Sequence, residues 1–324
     1  MSDFMLLTAD GLQRVEKLLF KTLQGTQEEE NVNAMCMHVV RAGGKRLRPR
    51  LTLLSAAALL HDQDGKFSDA VERLAAAVEL LHTASLIHDD VIDKASLRRG
   101  CSTLNETDGN HAAVLAGDYM FTRCFVLLHA LNCMPLFDSM AQTVSALVTG
   151  ELDQLKRQGD LSVSEQDYCR TVYCKTGALF ELACSGSAIL FKRSDDEIEA
   201  MKKYGRLLGQ GFQVADDLLD YQGRSDSTGK DVGEDLADGR ITLPLIFALR
   251  DLCGKERADL EDAAKSGDFL RVRKTLDEIG ALKKTQEFAL QSAKEAAASL
   301  EILPKSPYRD ALCEIALKAA RRSA

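Results

Sequence analysis

The sequence contains no tryptophan and only five prolines in 324 residues. Each proline lies where a helical pattern starts or stops, so no proline removes a hydrogen bond from the interior of a helix. Alternating β-branched runs joined by Asn-Gly or Asp-Gly turns, the usual signature of strands and hairpins, are nearly absent. In a chain rich in alanine and leucine, these absences predict an all-α protein.

Other absences restrict the location and the partners. The nine cysteines include no C-x-x-C pair, and an odd number suits neither a disulfide framework nor a zinc site. No basic segment followed by a long apolar core opens the chain, and no run approaches ~18 apolar residues. The net charge of −8 argues against nucleic acid, which calls for a basic surface. We therefore predict a cytoplasmic protein with no transmembrane segment and no nucleic-acid partner.

The chain shows no repeat of ordinary length and no low-complexity linker that would divide it. A single domain over residues 1–324 is the simplest prediction.

The stretch HTASLIHDDVIDKASLRR, residues 82–99, carries Asp89, Asp90 and Asp93 behind a run of apolar residues. In a helix, Asp89 and Asp93 lie four residues apart and share a face. Their mutual repulsion, about 2 to 3 kcal/mol at an effective dielectric near 20, indicates that a cation binds there. Such hard oxygen ligands suit Mg²⁺, which is usually bound by one or two carboxylates together with a substrate phosphate.

A second copy of the same spacing lies 127 residues further along, in FQVADDLLD at 212–220, with Asp216, Asp217 and Asp220. The chain also contains an aspartate pair without a third partner, Asp195 and Asp196, which we interpret as part of a helix start capped by Ser194 and Glu197. The two full motifs differ from this pair because each follows an apolar helical face, where unpaired carboxylates are costly. Duplication therefore favours a metal site over a solvated acidic surface.

Because the chain is acidic overall, local clusters of basic residues are informative. The loop GGKRLRP at 43–49 carries Lys45, Arg46 and Arg48, and it lacks the spacing of a nucleotide-binding P-loop. KTG at 175–177 places a glycine inside a helical pattern, which predicts a local break that presents Lys175 and Thr176 to a cavity. Lys230 lies in a Gly-rich and Ser-rich loop after the second motif. Ordinary surface lysines and an exposed basic loop remain alternative interpretations.

Small and polar residues precede the first motif. Ala84 and Ser85 lie about one helical turn before Asp89, and they indicate either space for a ligand or close helix packing. His82 lies two turns before Asp89 and is either an anion donor or a core histidine. Two aspartate clusters surrounded by basic side chains predict a site for two diphosphates. The apolar helix face before Asp89 predicts that one diphosphate carries a hydrocarbon tail.

Specific motifs make the sequence resemble the trans-isoprenyl diphosphate synthases, the head-to-tail all-trans prenyltransferases, over nearly its whole length. The motifs are GGKRLRP at 43–49, LIHDDVIDKASLRRG at 86–100, LAGDYMF at 115–121, GELDQL at 150–155, KTG at 175–177, FQVADDLLD at 212–220, TGKD at 228–231 and DGRITLP at 238–244. The resemblance implies the isoprenoid synthase fold, an all-helical bundle of antiparallel helices around a central cavity, in a protein that is normally a homodimer.

The resemblance also assigns roles to individual residues. It implies about three Mg²⁺ ions per active site that stabilise the departing diphosphate, held by Asp89, Asp93 and Asp216 with support from Asp90, Asp217 and Asp220. It assigns isopentenyl diphosphate to Lys45, Arg48, His82 and Arg99, and the allylic diphosphate to Arg98, Lys175, Thr176, Gln213 and Lys230. Arg240 stands where short-chain members carry lysine, which preserves the charge.

The activity that follows is condensation of isopentenyl diphosphate with an allylic diphosphate, beginning with ionisation of the allylic substrate. Short-chain members tend to carry a bulky residue where Ala84 and Ser85 stand, so we predict a long-chain product of roughly forty to fifty carbons. A geranylgeranyl or farnesyl diphosphate synthase is the main alternative. A class I terpene cyclase is disfavoured because the second motif here is all aspartate, and a non-catalytic subunit of a heteromeric synthase is disfavoured because all six aspartates remain.

Overall fold

The computed structural model describes residues 3–60, 68–223 and 232–321, and within them the chain is almost entirely helical. The all-α prediction is confirmed. The strands of the described residues are one short antiparallel pair, β1 (Leu97–Arg98) and β2 (Cys101–Ser102), with Leu97 opposite Ser102.

The α-helices of the described residues are numbered in chain order. The first nine are α1 (Asp3–Leu7), α2 (Ala9–Thr22), α3 (Glu30–Arg41), α4 (Leu47–Leu60), α5 (Asp69–Ile92), α6 (Leu104–Thr107), α7 (Asn110–His129), α8 (Met134–Lys156) and α9 (Glu165–Val172). The others are α10 (Ala178–Leu190), α11 (Asp195–Gln222), α12 (Glu234–Ala237), α13 (Leu243–Asp251), α14 (Gly254–Lys265), α15 (Phe269–Glu278), α16 (Ala281–Ser299) and α17 (Pro307–Ala320). A π-helical turn, Tyr173–Gly177, joins α9 to α10.

Polar caps fix several helix starts. The Ser68 side chain accepts a hydrogen bond from the backbone N–H of Val71 at 3.4 Å and begins α5. The predicted capping box of Ser194 and Glu197 is confirmed, with Glu197 N donating to the Ser194 hydroxyl at 3.3 Å. A second capping box, formed by Ser164 and Asp167, begins α9. Each such cap satisfies backbone donors that the first helical turn leaves unpaired.

The chain divides into two compact units, each made of several chain segments. Unit 1 comprises 1–141, 182–201 and 303–312, and α5 is its central helix. Helix α7 packs along α5, and α2 and α4 also contact α5. The interior surface of α5 is built of fully enclosed side chains such as Leu74, Val78 and Leu81. Unit 1 therefore holds the first aspartate motif at the end of its central helix.

Unit 2 comprises 142–181, 202–302 and 313–324. The rings of Phe180 and Phe212 contact each other at a centroid distance of 5.4 Å and tie the start of α10 to α11. Helix α13 packs against α16. Within this unit, α11 carries the second aspartate motif and lies beside the π-helical turn. The prediction of one domain over the whole chain stays a prediction.

One described helix, α7, is long and apolar enough to cross a membrane by length and composition alone. This is weak evidence, because the core helix of a soluble protein passes the same test. Ala113, Ala116, Met120 and Cys124 of α7 are enclosed within the protein.

Candidate active site

The first aspartate motif ends α5. The helix stops at Ile92 and Asp93 is its C-terminal cap, with the Asp93 backbone N–H donating to the Asp89 carbonyl at 2.8 Å. Asp89 is half-buried and Asp93 is exposed, so both carboxylates lie within reach of a ligand. Asp90 points elsewhere, because adjacent residues of a helix lie on different faces.

Asp90 is committed to an ion pair. Its Oδ1 lies 2.6 Å from Nε of Arg98, which the short hairpin β1–β2 returns toward the helix. Burial raises the pKa of Asp90, and the Arg98 guanidinium acts in the opposite direction. Asp90, Arg98 and Arg99 line one pocket of unit 1 with Thr83 of α5. Asp90, the middle aspartate of the motif, therefore forms an ion pair with a side chain of the protein itself.

Three segments of unit 1 supply the basic cluster, which we define as Lys45, Arg48, His82, Arg98 and Arg99. Lys45 is exposed in the loop before α4. The Arg99 guanidinium donates to the carbonyl of Gly43. Gly44 has φ +151, and a Cβ there would lie only 2.6 Å from an Arg99 nitrogen. Glycine at this position is thus required both by the backbone conformation and by the arginine packed against it.

His82 belongs to this cluster as a neutral group. Burial lowers its pKa well below the ordinary value, and the positive charges of Arg48 and Arg99 lower it further. Burial also lowers the pKa of Arg48 to about 10. His82 can therefore donate a hydrogen bond to a diphosphate at neutral pH without bringing a charge of its own.

The aspartates of the second motif differ in their exposure and in their hydrogen bonds. Asp216 is exposed on α11. Asp217 is 6% exposed and accepts hydrogen bonds from the Tyr168 hydroxyl at 2.5 Å and the Gln213 amide nitrogen at 2.8 Å. Burial raises the pKa of Asp217 to about 6, against the lowering effect of those two donors. Asp217 is thus an internal acceptor that orients its neighbours.

Asp220, the third aspartate, anchors the following loop. Its Oδ1 accepts from the backbone N–H groups of Gly233 and Glu234 at 3.0 and 3.1 Å, and its Oδ2 accepts from that of Asp235 at 3.1 Å. These bonds satisfy the amides that begin α12, where negative charge is favoured. Both oxygens of Asp220 are therefore engaged within the protein.

The predicted break at KTG is confirmed as the π-helical turn. The Thr176 hydroxyl donates to the Gln213 amide oxygen at 2.8 Å, and because Gln213 donates its nitrogen to Asp217, its amide has one defined orientation. Lys175 is ion-paired with Glu151 at 2.6 Å. Such π-turns inside helices are frequent at functional sites.

The remaining predicted residues differ in their surroundings. Arg240 is ion-paired with Asp235 at 3.0 Å and with Asp238 at 2.6 Å. Ala84 is completely enclosed, whereas Ser85 is partly exposed and its hydroxyl donates to the His82 carbonyl at 2.9 Å. Lys230 and the rest of TGKD lie within residues 224–231, outside the described residues.

Sequence reasoning missed three side chains that organise these motifs. Tyr168 comes from a helix without any quoted motif, and nothing in the sequence marks it. Glu151 lies in GELDQL, whose acidic residue could have been matched with Lys175. Glu79 on α5 is 3% exposed and ion-paired with Arg46 at 2.9 Å, and a lone glutamate inside an apolar helical pattern was its available signal.

The donor set fits Mg²⁺. The described residues contain no group of three or more His, Cys, Asp or Glu side chains that could by itself hold a metal ion. Mg²⁺ does not need one, since it keeps several waters and binds through one or two carboxylates together with substrate phosphates. Asp89, Asp93 and Asp216 retain the surface exposure that such binding requires.

Comparison with known proteins identifies the family. The polyprenyl synthetase family model matches residues 29–279. The chain is 35% identical over 320 residues to the octaprenyl diphosphate synthase of Escherichia coli, which covers 98% of this chain and 97% of that protein. The chain belongs to the polyprenyl synthetase family, and it is an enzyme of the trans-prenyltransferase class.

Solved structures agree with this membership. A decaprenyl diphosphate synthase from Rhodobacter capsulatus superposes with a TM-score of 0.91 at 32% identity and covers 99% of both chains. A polyprenyl synthase from Caulobacter crescentus, crystallised with calcium and isoprenyl diphosphate, has a TM-score of 0.88 at 35% identity and covers 99% of this chain and 97% of that one. The isoprenoid synthase fold predicted from the motifs is confirmed.

Proposed function

We propose that this enzyme condenses isopentenyl diphosphate with allylic diphosphates, head to tail and all-trans, to form a long-chain polyprenyl diphosphate. The observation that carries the proposal is the difference between Asp93 and Asp216, whose side chains are exposed, and Asp90, Asp217 and Asp220, which are bonded within the protein. Accessible carboxylates of this kind are what a metal shared with a diphosphate requires.

Each substrate is assigned to a group of side chains. Isopentenyl diphosphate is held by Lys45, Arg48, His82 and Arg99, four members of the basic cluster, whereas the family resemblance assigns the fifth member, Arg98, to the allylic diphosphate. The allylic diphosphate is bound by Arg98, Lys175 and Lys230. Charge-assisted hydrogen bonds to phosphate are the strong class of polar contact, and arginine adds two-point geometry.

When bound, Mg²⁺ would supply positive charge that stabilises the departing diphosphate. About three ions per site are expected from that chemistry and from the family resemblance. Asp89, Asp93 and Asp216 are the residues that would hold them.

The side chains of the protein orient the organic part of the reaction. Thr176 and Gln213 present oxygen dipoles beside the allylic carbon, and Asp217 and Tyr168 keep the Gln213 amide in one orientation. Dipoles fixed before the reaction stabilise developing positive charge without reorganisation at the moment of ionisation. The double bond of isopentenyl diphosphate then attacks the allylic carbon. A proton is lost to the released diphosphate, and the chain is five carbons longer.

The product is long, with eight to ten isoprene units. Support comes from the octaprenyl and decaprenyl synthases that resemble this chain over nearly its whole length, and from the small side chains Ala84 and Ser85 near the first motif. A geranylgeranyl product is the second candidate, since a synthase from Pyrococcus horikoshii with that name has a TM-score of 0.88 at 27% identity.

We further propose that the enzyme is a cytoplasmic homodimer. All nine cysteines are free thiols, which suits a reducing compartment. Leu115 and Val126 on α7 are 66% and 53% exposed, and an exposed apolar helix face favours burial against a second copy of the chain. Light scattering of the purified protein tests the dimer.

The deciding experiment incubates the purified enzyme with labelled isopentenyl diphosphate and one allylic diphosphate, with Mg²⁺ or with a chelator. We expect incorporation only with Mg²⁺, and dephosphorylated products of about forty to fifty carbons by chromatography. Incorporation that persists under chelation would exclude the metal assignment. Products that stop at twenty carbons would replace the long-chain proposal by the geranylgeranyl one.

A further inference from the structure

Beneath the basic cluster of unit 1 lies one acidic side chain, Glu79 of α5. Its side chain is 5% exposed, in a helix segment where the neighbouring residues 74–78 and 80–81 are all enclosed and uncharged. A buried carboxylate is costly unless it is paired and hydrogen-bonded. The structure provides that partner from the GGKRLRP loop rather than from the helix itself.

The partner is Arg46. Its Nη1 donates to Glu79 Oε1 at 2.9 Å, its Nη2 donates to the Val40 carbonyl at 2.7 Å, and its Nε lies 3.6 Å from Glu16 Oε1. Arg46 is itself only 7% exposed. Although it is one of the basic residues of the loop, its guanidinium is turned into the protein and is unavailable to a substrate.

The backbone at Arg46 is unusual as well. Its φ is +47, in the left-handed region that non-glycine residues rarely adopt. Such a conformation persists only where surrounding contacts hold it, and the Arg46 side-chain bonds to Glu79 and Val40 are contacts of that kind. Lys45 precedes Arg46 directly and Arg48 follows two residues later, so the conformation at Arg46 sets where both side chains point.

Glu79 also acts on the other arginines. The pKa of Arg48 and that of Arg99 are lowered by burial, and in both cases the charge of Glu79 works against that lowering. Glu79 therefore lies near enough to the loop, through Arg46 and Arg48, and to the hairpin, through Arg99, to stabilise positive charge on both. It is a shared counter-ion for two of the segments that form the basic cluster.

We propose that Glu79 is a positioning residue for the isopentenyl diphosphate subsite. It anchors the GGKRLRP loop through Arg46, so that Lys45 and Arg48 are directed at the diphosphate before substrate arrives. This inference rests on the proposed assignment of that subsite, and it adds a residue that touches neither substrate.

The sign of the expected effect distinguishes positioning from simple electrostatics. Glu79→Gln removes a negative charge beneath a cationic cluster. If charge alone mattered, the variant would bind isopentenyl diphosphate more tightly. If Glu79 holds the loop, the variant binds it more weakly, because Lys45 and Arg48 lose their fixed direction.

The experiment compares Glu79→Gln with Glu72→Gln. Glu72 lies seven residues earlier on α5 and is ion-paired with Arg14 at 2.5 Å, so it offers the same substitution on the same helix. We expect Glu79→Gln to raise the KM for isopentenyl diphosphate about tenfold or more, with kcat and the allylic KM within about twofold of wild type. Glu72→Gln should change none of these constants.

A second variant covers the chance that Glu79→Gln folds poorly. Arg46→Lys keeps the buried pair charged but removes the fork that reaches both Glu79 and Val40, and it should raise the same KM. Calorimetric binding of inorganic diphosphate to both variants gives a readout independent of turnover, and weaker binding is expected.

Three results would overturn the proposal. They are an unchanged or lowered KM for isopentenyl diphosphate, an equal rise in both substrate KM values, or a lower Tm with all kinetic constants unchanged. Loss of the proposed function itself would appear differently, as a wild-type enzyme that forms no elongated product.

Discussion

Asp90 of the first aspartate motif is joined to Arg98 by a 2.6 Å contact between Oδ1 and Nε. The DDxxD spacing places Asp90 beside the predicted metal ligands Asp89 and Asp93. The Asp90 carboxylate is instead paired with an arginine of the same compact unit. Its buried position, 6% exposed, explains why the ion pair forms, since a buried carboxylate requires a partner.

This contact predicts that substitutions of the aspartates in the motif change different kinetic constants. Asp90→Asn should raise the KM for the allylic diphosphate, because Arg98 loses its anchor, and should leave the Mg²⁺ concentration for half-maximal activity unchanged. Asp93→Asn should raise that Mg²⁺ concentration. Titration of both variants with Mg²⁺ at saturating substrate makes the comparison, and identical metal requirements would contradict the separate roles.

Removal of a predicted metal-binding aspartate should abolish most of the activity. Asp89→Ala or Asp216→Ala removes a metal contact worth several kcal/mol in the transition state, which corresponds to about 100-fold or more in kcat. Helical content, measured by circular dichroism, should be unchanged. Asp196→Ala, at the exposed start of α11, is the matched control and should retain wild-type turnover. Near-normal kcat in Asp89→Ala or Asp216→Ala would remove the metal assignment.

Lys45 should contribute to the binding of one substrate only. Lys45→Ala removes an exposed ammonium from the GGKRLRP loop and should raise the KM for isopentenyl diphosphate about tenfold, since a charge-assisted contact contributes roughly 1.5 to 3 kcal/mol. Lys21→Ala, in the last turn of α2, removes the same charge elsewhere in unit 1 and should have no effect. Steady-state kinetics with each substrate varied in turn would refute the assignment if both KM values rose together.

Product length should depend on residue 85 more than on residue 84. Each added isoprene unit buries five carbons, worth roughly 4 kcal/mol at about 0.8 kcal/mol per carbon, so an elongating chain stays bound until it is blocked. Ser85 is partly exposed, and Ser85→Phe should shorten the product to about fifteen or twenty carbons by filling the space of the growing tail.

Ala84 gives the contrasting case. Because Ala84 is completely enclosed, Ala84→Phe should overpack the core and lower stability by about 1 to 3 kcal/mol. Chromatography of dephosphorylated products, together with thermal unfolding, separates the two outcomes. Long products from a well-folded Ser85→Phe variant would show that the tail lies elsewhere.

The absence of a side chain at Gly117 should be necessary for the correct geometry of the first motif. The His88 ring packs against it, with its Nε2 3.2 Å from the Val114 carbonyl and 3.5 Å from the Asp118 carboxylate. A Cβ at residue 117 would lie 2.6 Å from His88 Cδ2. Gly117→Ala should displace His88 and its neighbour Asp89 and lower kcat on the order of 10 to 100-fold, as misplacements of about 1 Å can.

Gly205→Ala provides the control for packing alone. A Cβ there would lie 2.5 Å from the Phe180 carbonyl oxygen, far along α11 from Asp216. It should lower the Tm while the folded fraction keeps its kcat. If Gly117→Ala loses stability but not kcat per folded molecule, the positional role of His88 is excluded.

The sequence by itself determined the helices and the identity of the motifs. Helical periodicity and the scarcity of proline are local properties, so the all-α prediction required no knowledge of tertiary packing, and it is confirmed. Motif spacing is equally local. A glycine inside a helical pattern was sufficient to predict the break at Lys175 and Thr176, because its conformational cost acts within one turn.

The tertiary structure alone decided which side chains of each motif are committed to the protein. All six aspartates look alike in sequence, yet Asp90 pairs with Arg98, Asp217 accepts from Tyr168 and Asp220 holds the amides of residues 233–235. Likewise Lys45 is exposed while Arg46, its neighbour, is bonded to Glu79. Hydrogen bonds and ion pairs join residues distant in the chain, and burial depends on every helix packed around a site, so neither follows from spacing along one segment.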